Sequence, residues 1–226
     1  MKAGNASYTS TDQLPESIPV FPLSEALLLP GGQMPLNIFE PRYLAMIEDA
    51  MKSNRLIGMI QPEISEGAFN ELSDSPALCR VGCVGRIVAH QELGEQRFAI
   101  HLSGIARFYV DEEIGGKKGY RYCKVSYFAE DLIETELGES GVDRDELILT
   151  LRAYLDSNDL EADWDGIHEA PTDALVNALA MMSPFGAAEK QALLEAPDLK
   201  TRADTLIALT EISLVKDSDT PHNTIQ

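Results

Sequence analysis

The chain has 226 residues, 44% of them hydrophobic, enough to bury a normal core in one large domain or two small ones. Eighteen lysines and arginines against 37 aspartates and glutamates give a formal net charge of −19. Such a field repels phosphate backbones and anionic lipid surfaces and favours neutral or basic partners, which argues against nucleic acid and membrane as partners. Three cysteines do not make a disulfide framework, the first residues lack the apolar run of a secretory signal, and the longest apolar run, Ala26-Leu27-Leu28-Leu29, is far too short to span a bilayer, so a cytoplasmic, reducing location is expected.

In chain order, residues 1–15 are polar and read as a mobile tail. Ile18-Pro19-Val20-Phe21-Pro22-Leu23 reads as a short extended edge segment, because its prolines limit ladder hydrogen bonding. Pro30-Gly31-Gly32 signals a turn. Pro41 suits the first position of a helix ending near Ser53-Asn54, with Tyr43, Leu44, Ile47, Ala50 and Met51 on one face. Leu56–Ile60 is a short apolar strand, and residues 63–77 form a long loop without a clear period. Three further strands are expected over Gly82–His90, Arg97–Val110 and Tyr120–Phe128, with Gly104 marking a bulge or bend. The linkers at 93–96 and 115–119 read as hairpin connections. Several short strands with one embedded helix imply a small, closed or nearly closed β-barrel over residues 16–130.

The hydrophobic period changes after about residue 131. Helical stripes run through Leu147, Leu151, Tyr154 and Leu155, then Leu175, Leu179 and Met182. A short helix over Ala187–Ala196 follows, and then a last one carrying Leu199, Ala203, Leu206, Ile207, Thr210 and Leu214. Four helices with short turns make a bundle over residues 131–215, and the polar residues 216–226 read as a disordered tail. The fold class is therefore α+β, a small barrel followed by a C-terminal four-helix bundle.

Catalytic signatures are absent from these 226 residues: no G-x-x-x-x-G-K-[ST], no G-x-S-x-G, no H-E-x-x-H and no C-x-x-C. No catalytic residue and no cofactor is expected. Cys79 and Cys83 share a strand face, but at about 13 Å apart they are too distant to grip one ion without a bend, so they read as small strand residues and no metal is expected. His101 alternates with apolar neighbours and reads as a barrel residue. Trp164, within the acidic segment 159–165, is expected to tuck against the bundle.

Three groups of motifs together resemble one family. The first joins Ile18–Leu23, Leu29-Pro30-Gly31, Pro35-Leu36-Asn37-Ile38-Phe39-Glu40-Pro41-Arg42-Tyr43 and Ile57-Gly58-Met59. The second joins Val81-Gly82-Cys83-Val84-Gly85-Arg86-Ile87 with Leu102-Ser103-Gly104-Ile105-Ala106-Arg107-Phe108. The third joins Met181-Met182-Ser183-Pro184-Phe185 with Glu189–Glu195. Over roughly residues 16–215 this is similar to the N-terminal substrate-binding domain of Lon proteases, specifically its stand-alone bacterial members. Cereblon carries a similar domain. The resemblance implies a PUA-like barrel, a helical bundle, and a non-catalytic role in holding unfolded or flexible polypeptide segments as an adaptor or holdase, with Lon or another protease a possible partner. The ATPase and Ser-Lys protease domains that follow the bundle in Lon have no counterpart here, so a peptidase label would rest on homology alone. RNA binding, known for PUA-like folds, is the alternative, but it requires a basic face and Lys117-Lys118 is a lone doublet; a Lon-related peptidase accessory is another. The candidate peptide contacts are Met34, Leu36, Phe39, Glu40 and Arg42, with Met34 and Leu36 expected in an exposed apolar patch, Phe39 at the barrel–helix junction, Glu40 at a helix N-terminus and Arg42 paired with Glu40.

Overall fold

The computed structural model describes residues 1–63, 76–116, 118–133, 141–158 and 160–218, with side chains as far as Val215. Most of the expected long loop and the tail from 219 onward lie outside the described residues. Eight strands are described: β1 Lys2–Ala3, β2 Ala6–Ser7, β3 Ser17–Pro22, β4 Gln33–Ile38, β5 Leu56–Pro62, β6 Leu78–Glu92, β7 Phe98–Glu113 and β8 Arg121–Tyr127. Six α-helices accompany them: α1 Pro41–Met51, α2 Arg144–Ser157, α3 Trp164–Glu169, α4 Thr172–Met182, α5 Ala187–Glu195 and α6 Leu199–Ser218. α1 is embedded among the strands, and the other five follow them; α3 is a short addition to the four expected helices.

β7, β6, β5, β3 and β8 lie side by side, and β8 returns to β7 to close a five-stranded barrel. Among the described strand pairs only β3 and β5 run parallel. Closure depends on a kink in β7. Gly85 pairs with Gly104 and Val84 with Ala106, which leaves Ile105 as the extra residue of a bulge. Before the kink β7 pairs with β4, over residues 98–103; after it β7 pairs with β8, over 108–113. The Leu29 carbonyl occupies the space where a Cβ on Gly104 would stand, and Gly31 N–H donates to the Gly104 carbonyl at 3.0 Å. Glycine is therefore required at this bend.

Two expectations from the sequence are corrected. β3 is not an edge strand: β8 pairs with it over residues 17–20 and β5 over 20–22, so only Val20 is paired on both sides. Each proline needs a ladder on one flank only, Pro19 beside β8 and Pro22 beside β5, and this stagger admits them to a closed barrel. Residues 1–15 are not a free tail. β1 and β2 form a hairpin, a 3₁₀ turn follows over Thr11–Gln13 inside a Ser10–Gln13 capping box, and Ala3, Tyr8 and Leu14 are buried in the barrel's core. Arg86 fastens the hairpin through the Tyr8 hydroxyl (3.3 Å) and Asn5 (3.4 Å). Three buried side chains in a polar stretch leave no periodic signal.

The core has two parts. One fills the barrel around Phe108, with Ile18, Val20, Leu56, Ile60, Val84 and Val125. The other is shared by the barrel wall, α1 and the bundle. α1 contributes Tyr43, Met46, Ile47 and Ala50, and Pro41 stands at its start as the spacing predicts. The larger of these side chains each contribute about 1.5–3 kcal/mol by burial. In the bundle α6 buries Ala203, Leu206, Ile207 and Thr210, and α2 buries Leu147 and Thr150. α2 begins at Asp143, whose carboxylate accepts from the Glu146 N–H at 3.0 Å. Asp143→Ala is expected to lower stability by about 1 kcal/mol, read as a drop in the urea midpoint without change in slope.

Hydrogen bonds from buried and partly buried side chains join barrel to bundle. Gln61 donates to the Ala187 carbonyl (3.0 Å) and Gln191 (3.1 Å), and Gln191 donates to the Val81 carbonyl (3.2 Å). Asn177 donates to the Pro30 carbonyl at 3.1 Å. Arg107 reaches from β7 to the end of α5, with 2.6 Å to the Ala196 carbonyl and 3.2 Å to that of Leu194.

Candidate functional site

β4 and the start of α1 carry the five candidate contact residues, and they divide between two surfaces. Strand alternation turns Met34, Leu36 and Ile38 one way and Gln33, Pro35 and Asn37 the other. Met34 and Leu36 face inward and are partly buried against the shared core, so they are not the exposed patch expected. Phe39 is not packed into the barrel–helix junction; it is 66% exposed where the chain leaves β4 for α1. The apolar exposure lies one step beyond the place the motif suggested.

Glu40 is the cap residue of α1. Its backbone carbonyl accepts from the N–H groups of Tyr43 (3.0 Å) and Leu44 (2.9 Å), but its carboxylate makes no capping bond. The carboxylate instead pairs with Arg42, 3.0 Å from Nε and 2.9 Å from Nη2. The pair is half-exposed and worth no more than about 1 kcal/mol. The Arg42 guanidinium lies over the Tyr43 ring at 4.7 Å, and that ring packs on Phe21. Burial, the leading cause, raises the Tyr43 phenol above its ordinary range. Across α1, Asp49 receives Lys118 at 2.7 Å and the Tyr120 hydroxyl at 2.9 Å. These bonds hold the carboxyl below its usual value, while burial and then Asp49 push Tyr120 up to about 12. Lys118 and Tyr120, just before β8, are thereby fixed beside the last turn of α1.

At the other end of β4, Met181 lies against Gly32, so close that a Cβ there would overlap its sulfur. The next residue, Met182, is 81% exposed. The helical stripe placed Met182 inward with Leu175 and Leu179, but α4 buries Leu175, Val176 and Ala180 and turns Met182 out. β4 therefore starts beside Met181 and ends, about 20 Å on for six residues at 3.3 Å each, at the exposed Phe39.

Groups able to do chemistry do not converge here. His101, opposite Pro35 on β7, is exposed on the outer face rather than packed in the barrel, and His90 tilts over Phe98 at 4.7 Å. Cys83 and Cys123 are buried and Cys79 is partly buried. Burial raises all three thiols, Cys123 to about 11, so near neutrality they are protonated and poor nucleophiles. Among the described residues no three His, Cys, Asp or Glu side chains gather to hold a metal. A hollow of about 400 Å³ between β5, β6 and α5 is lined by Gln61, Pro62, Cys79, Gln191 and Glu195 among others; Gln61 donates to Ala187 and Gln191, and Gln191 to Val81 and, within α5, to Glu195. Trp164 lies at the start of α3, partly buried, with the Arg152 guanidinium 4.5 Å from its ring.

A closed five-stranded barrel fastened to a helical bundle, with an extra strand on its outer wall, defines an α+β barrel-and-bundle domain. The sequence matches the ATP-dependent protease La (LON) substrate-binding domain over residues 17–211, and the chain belongs to that family. It is 27% identical over 205 residues to Lon protease 2 of Myxococcus xanthus, covering 88% of this chain and 24% of that protein. Lon protease 2 of Sorangium cellulosum is 28% identical over 204 residues, covering 86% and 24%. The chain thus spans about a quarter of the curated relatives it matches. The fold is that of a Lon N-terminal domain protein from Xanthomonas campestris, with a TM-score of 0.59 at 21% identity over 85% of this chain and 97% of that one. The N-terminal domain of a Mycobacterium avium complex Lon protease gives 0.58 at 19% identity, over 86% and 98%.

Proposed function

We propose that this protein is a non-catalytic polypeptide-binding module, an adaptor or holdase that engages unfolded segments through the β4–α1 surface, with Phe39 as its principal apolar contact. The observation that carries the reading is the exposure of Phe39 at 66%, at the junction of an outer strand and a helix start, in a chain of the Lon substrate-binding family. Met34 and Leu36 form the inner wall of that surface, and the Glu40–Arg42 pair its polar rim. A net charge of −19 favours neutral or basic clients over nucleic acid. A Lon-type protease is the partner that the family suggests for delivery of a client, and cytoplasm the compartment.

The test is binding of fluorescently labelled, reduced and carbamidomethylated lysozyme, an unfolded basic polypeptide, at physiological ionic strength. Phe39→Ser is expected to weaken binding about tenfold, the loss of one well-placed aromatic contact. It changes no charge, so the effect separates apolar contact from electrostatic attraction. Failure of the unsubstituted protein to bind this chain, or to slow its aggregation, would remove the reading.

A further inference from the structure

Among the described residues β4 is the outermost strand of the sheet and pairs with β7 alone. Its register fixes which backbone groups are used. Gly104 N–H donates to the Gly32 carbonyl at 2.9 Å, and the pairing continues without a shift through Met34↔Leu102, Leu36↔Ile100 and Ile38↔Phe98. The even-numbered residues therefore exchange bonds with β7, and the N–H and C=O groups of Gln33, Pro35 and Asn37 point the other way. Among the described residues none of those outward groups has a hydrogen-bond partner, and all three residues are exposed. Pro35 occupies an outward position, where its missing N–H costs β7 nothing.

We infer that clients bind as an added strand alongside β4, an extended segment of about six residues hydrogen-bonded to the outward groups of Gln33, Pro35 and Asn37. This rests on the polypeptide-binding reading above and specifies its mode. An extended backbone is the occupant that matches donors and acceptors at this spacing. Gln33 and Asn37 each offer one N–H and one C=O, and Pro35 offers a C=O, five of the six bonds a full strand would make. Alternate side chains of the client would lie on the side of Met34 and Leu36, where an apolar residue gains, and the others on the solvent side. Phe39 stands exposed where the strand ends. A second copy of this chain is the poorer occupant, because it brings its own −19 charge and a second proline to the pairing.

Amide hydrogen exchange with and without the same carbamidomethylated lysozyme tests the mode. The amides of Gln33 and Asn37 are expected to slow about tenfold or more on binding, while those of Met34 and Leu36, already bonded to β7, change less. Pro35→Val supplies the third outward N–H, and so the sixth bond, and is expected to tighten binding several-fold, with the free protein still monomeric by sedimentation. Binding that leaves Gln33 and Asn37 unprotected overturns the added strand yet leaves the polypeptide-binding reading intact; absence of binding removes both. Protection of these amides without lysozyme, rising with protein concentration, would assign the edge to a second copy and overturn the inference.

Discussion

Replacing Arg107 by methionine lowers unfolding free energy by about 3–5 kcal/mol, a large share of the 5–15 kcal/mol typical of a folded protein. The size follows from what the guanidinium leaves behind. Its side chain is 3% exposed and that of Asp131 10%. Nε and Nη2 each meet an Asp131 oxygen at 2.9 Å, and the Arg107 backbone N–H reaches the same carboxylate at 2.8 Å. Nη1 satisfies the Leu194 and Ala196 carbonyls, and the plane lies over Phe128. Methionine fills the volume but strands a buried carboxylate and two carbonyls together. Burial alone would lower the Arg107 pKa, yet Asp131 raises it, so the cation is held charged. Arg107→Met/Asp131→Leu should regain a large part of the loss, because the pair as a whole contributes far less than the penalty for breaking it. Urea unfolding measures both variants. A loss under about 1 kcal/mol for the single variant would mean that water reaches the site and satisfies what arginine leaves.

Arg107 also shows where the sequence is silent. An arginine inside Ile105-Ala106-Arg107-Phe108 is visible as a break in an apolar strand, but its partners lie 24 residues away in Asp131 and 87 and 89 residues away in Leu194 and Ala196. No local pattern joins them. Arg202, likewise buried, bonds Leu193 and Asn177, and Asn177 in turn holds the Pro30 carbonyl. Burial and the nearby Arg107 pull Arg202 down to about 10, still well above neutrality. What periodicity does reveal is the change from alternation to helical spacing, and the helix start at Pro41, because these depend on near neighbours. β4 is absent from the expected strands although Met34, Leu36 and Ile38 alternate with Gln33, Pro35 and Asn37, because a strand this short that holds a proline is admitted only beside a one-sided partner. Periodicity also misplaces Phe39 and Met182, at element ends where it no longer fixes direction. The candidate site is thus legible as a segment but not as a surface.

The barrel interior gives the second large effect, expected for Phe108→Ala at about 3–5 kcal/mol. Phe108 is fully buried, and two glycines face its ring. A Cβ on Gly58 would stand 2.9 Å from the ring's Cζ, and one on Gly82 would overlap that atom. The barrel is therefore built around one large side chain with the wall thinned on two strands, and truncation to alanine opens a cavity at its centre. The two glycines differ in a way that a double-mutant cycle can read. At Gly58 the close atoms are side-chain ends, Phe108 Cζ and Ile18 Cδ1, whereas at Gly82 the Met59 carbonyl is only 2.6 Å away. Gly58→Ala should then cost less in the Phe108→Ala background than alone, a coupling of about 1 kcal/mol or more, because the vacated ring space admits the methyl. Gly82→Ala should stay destabilising in both backgrounds, since backbone cannot give way as a side chain does. Additive behaviour at both positions would contradict the ring-in-thinned-wall packing, even if the single Phe108 variant were as unstable as expected.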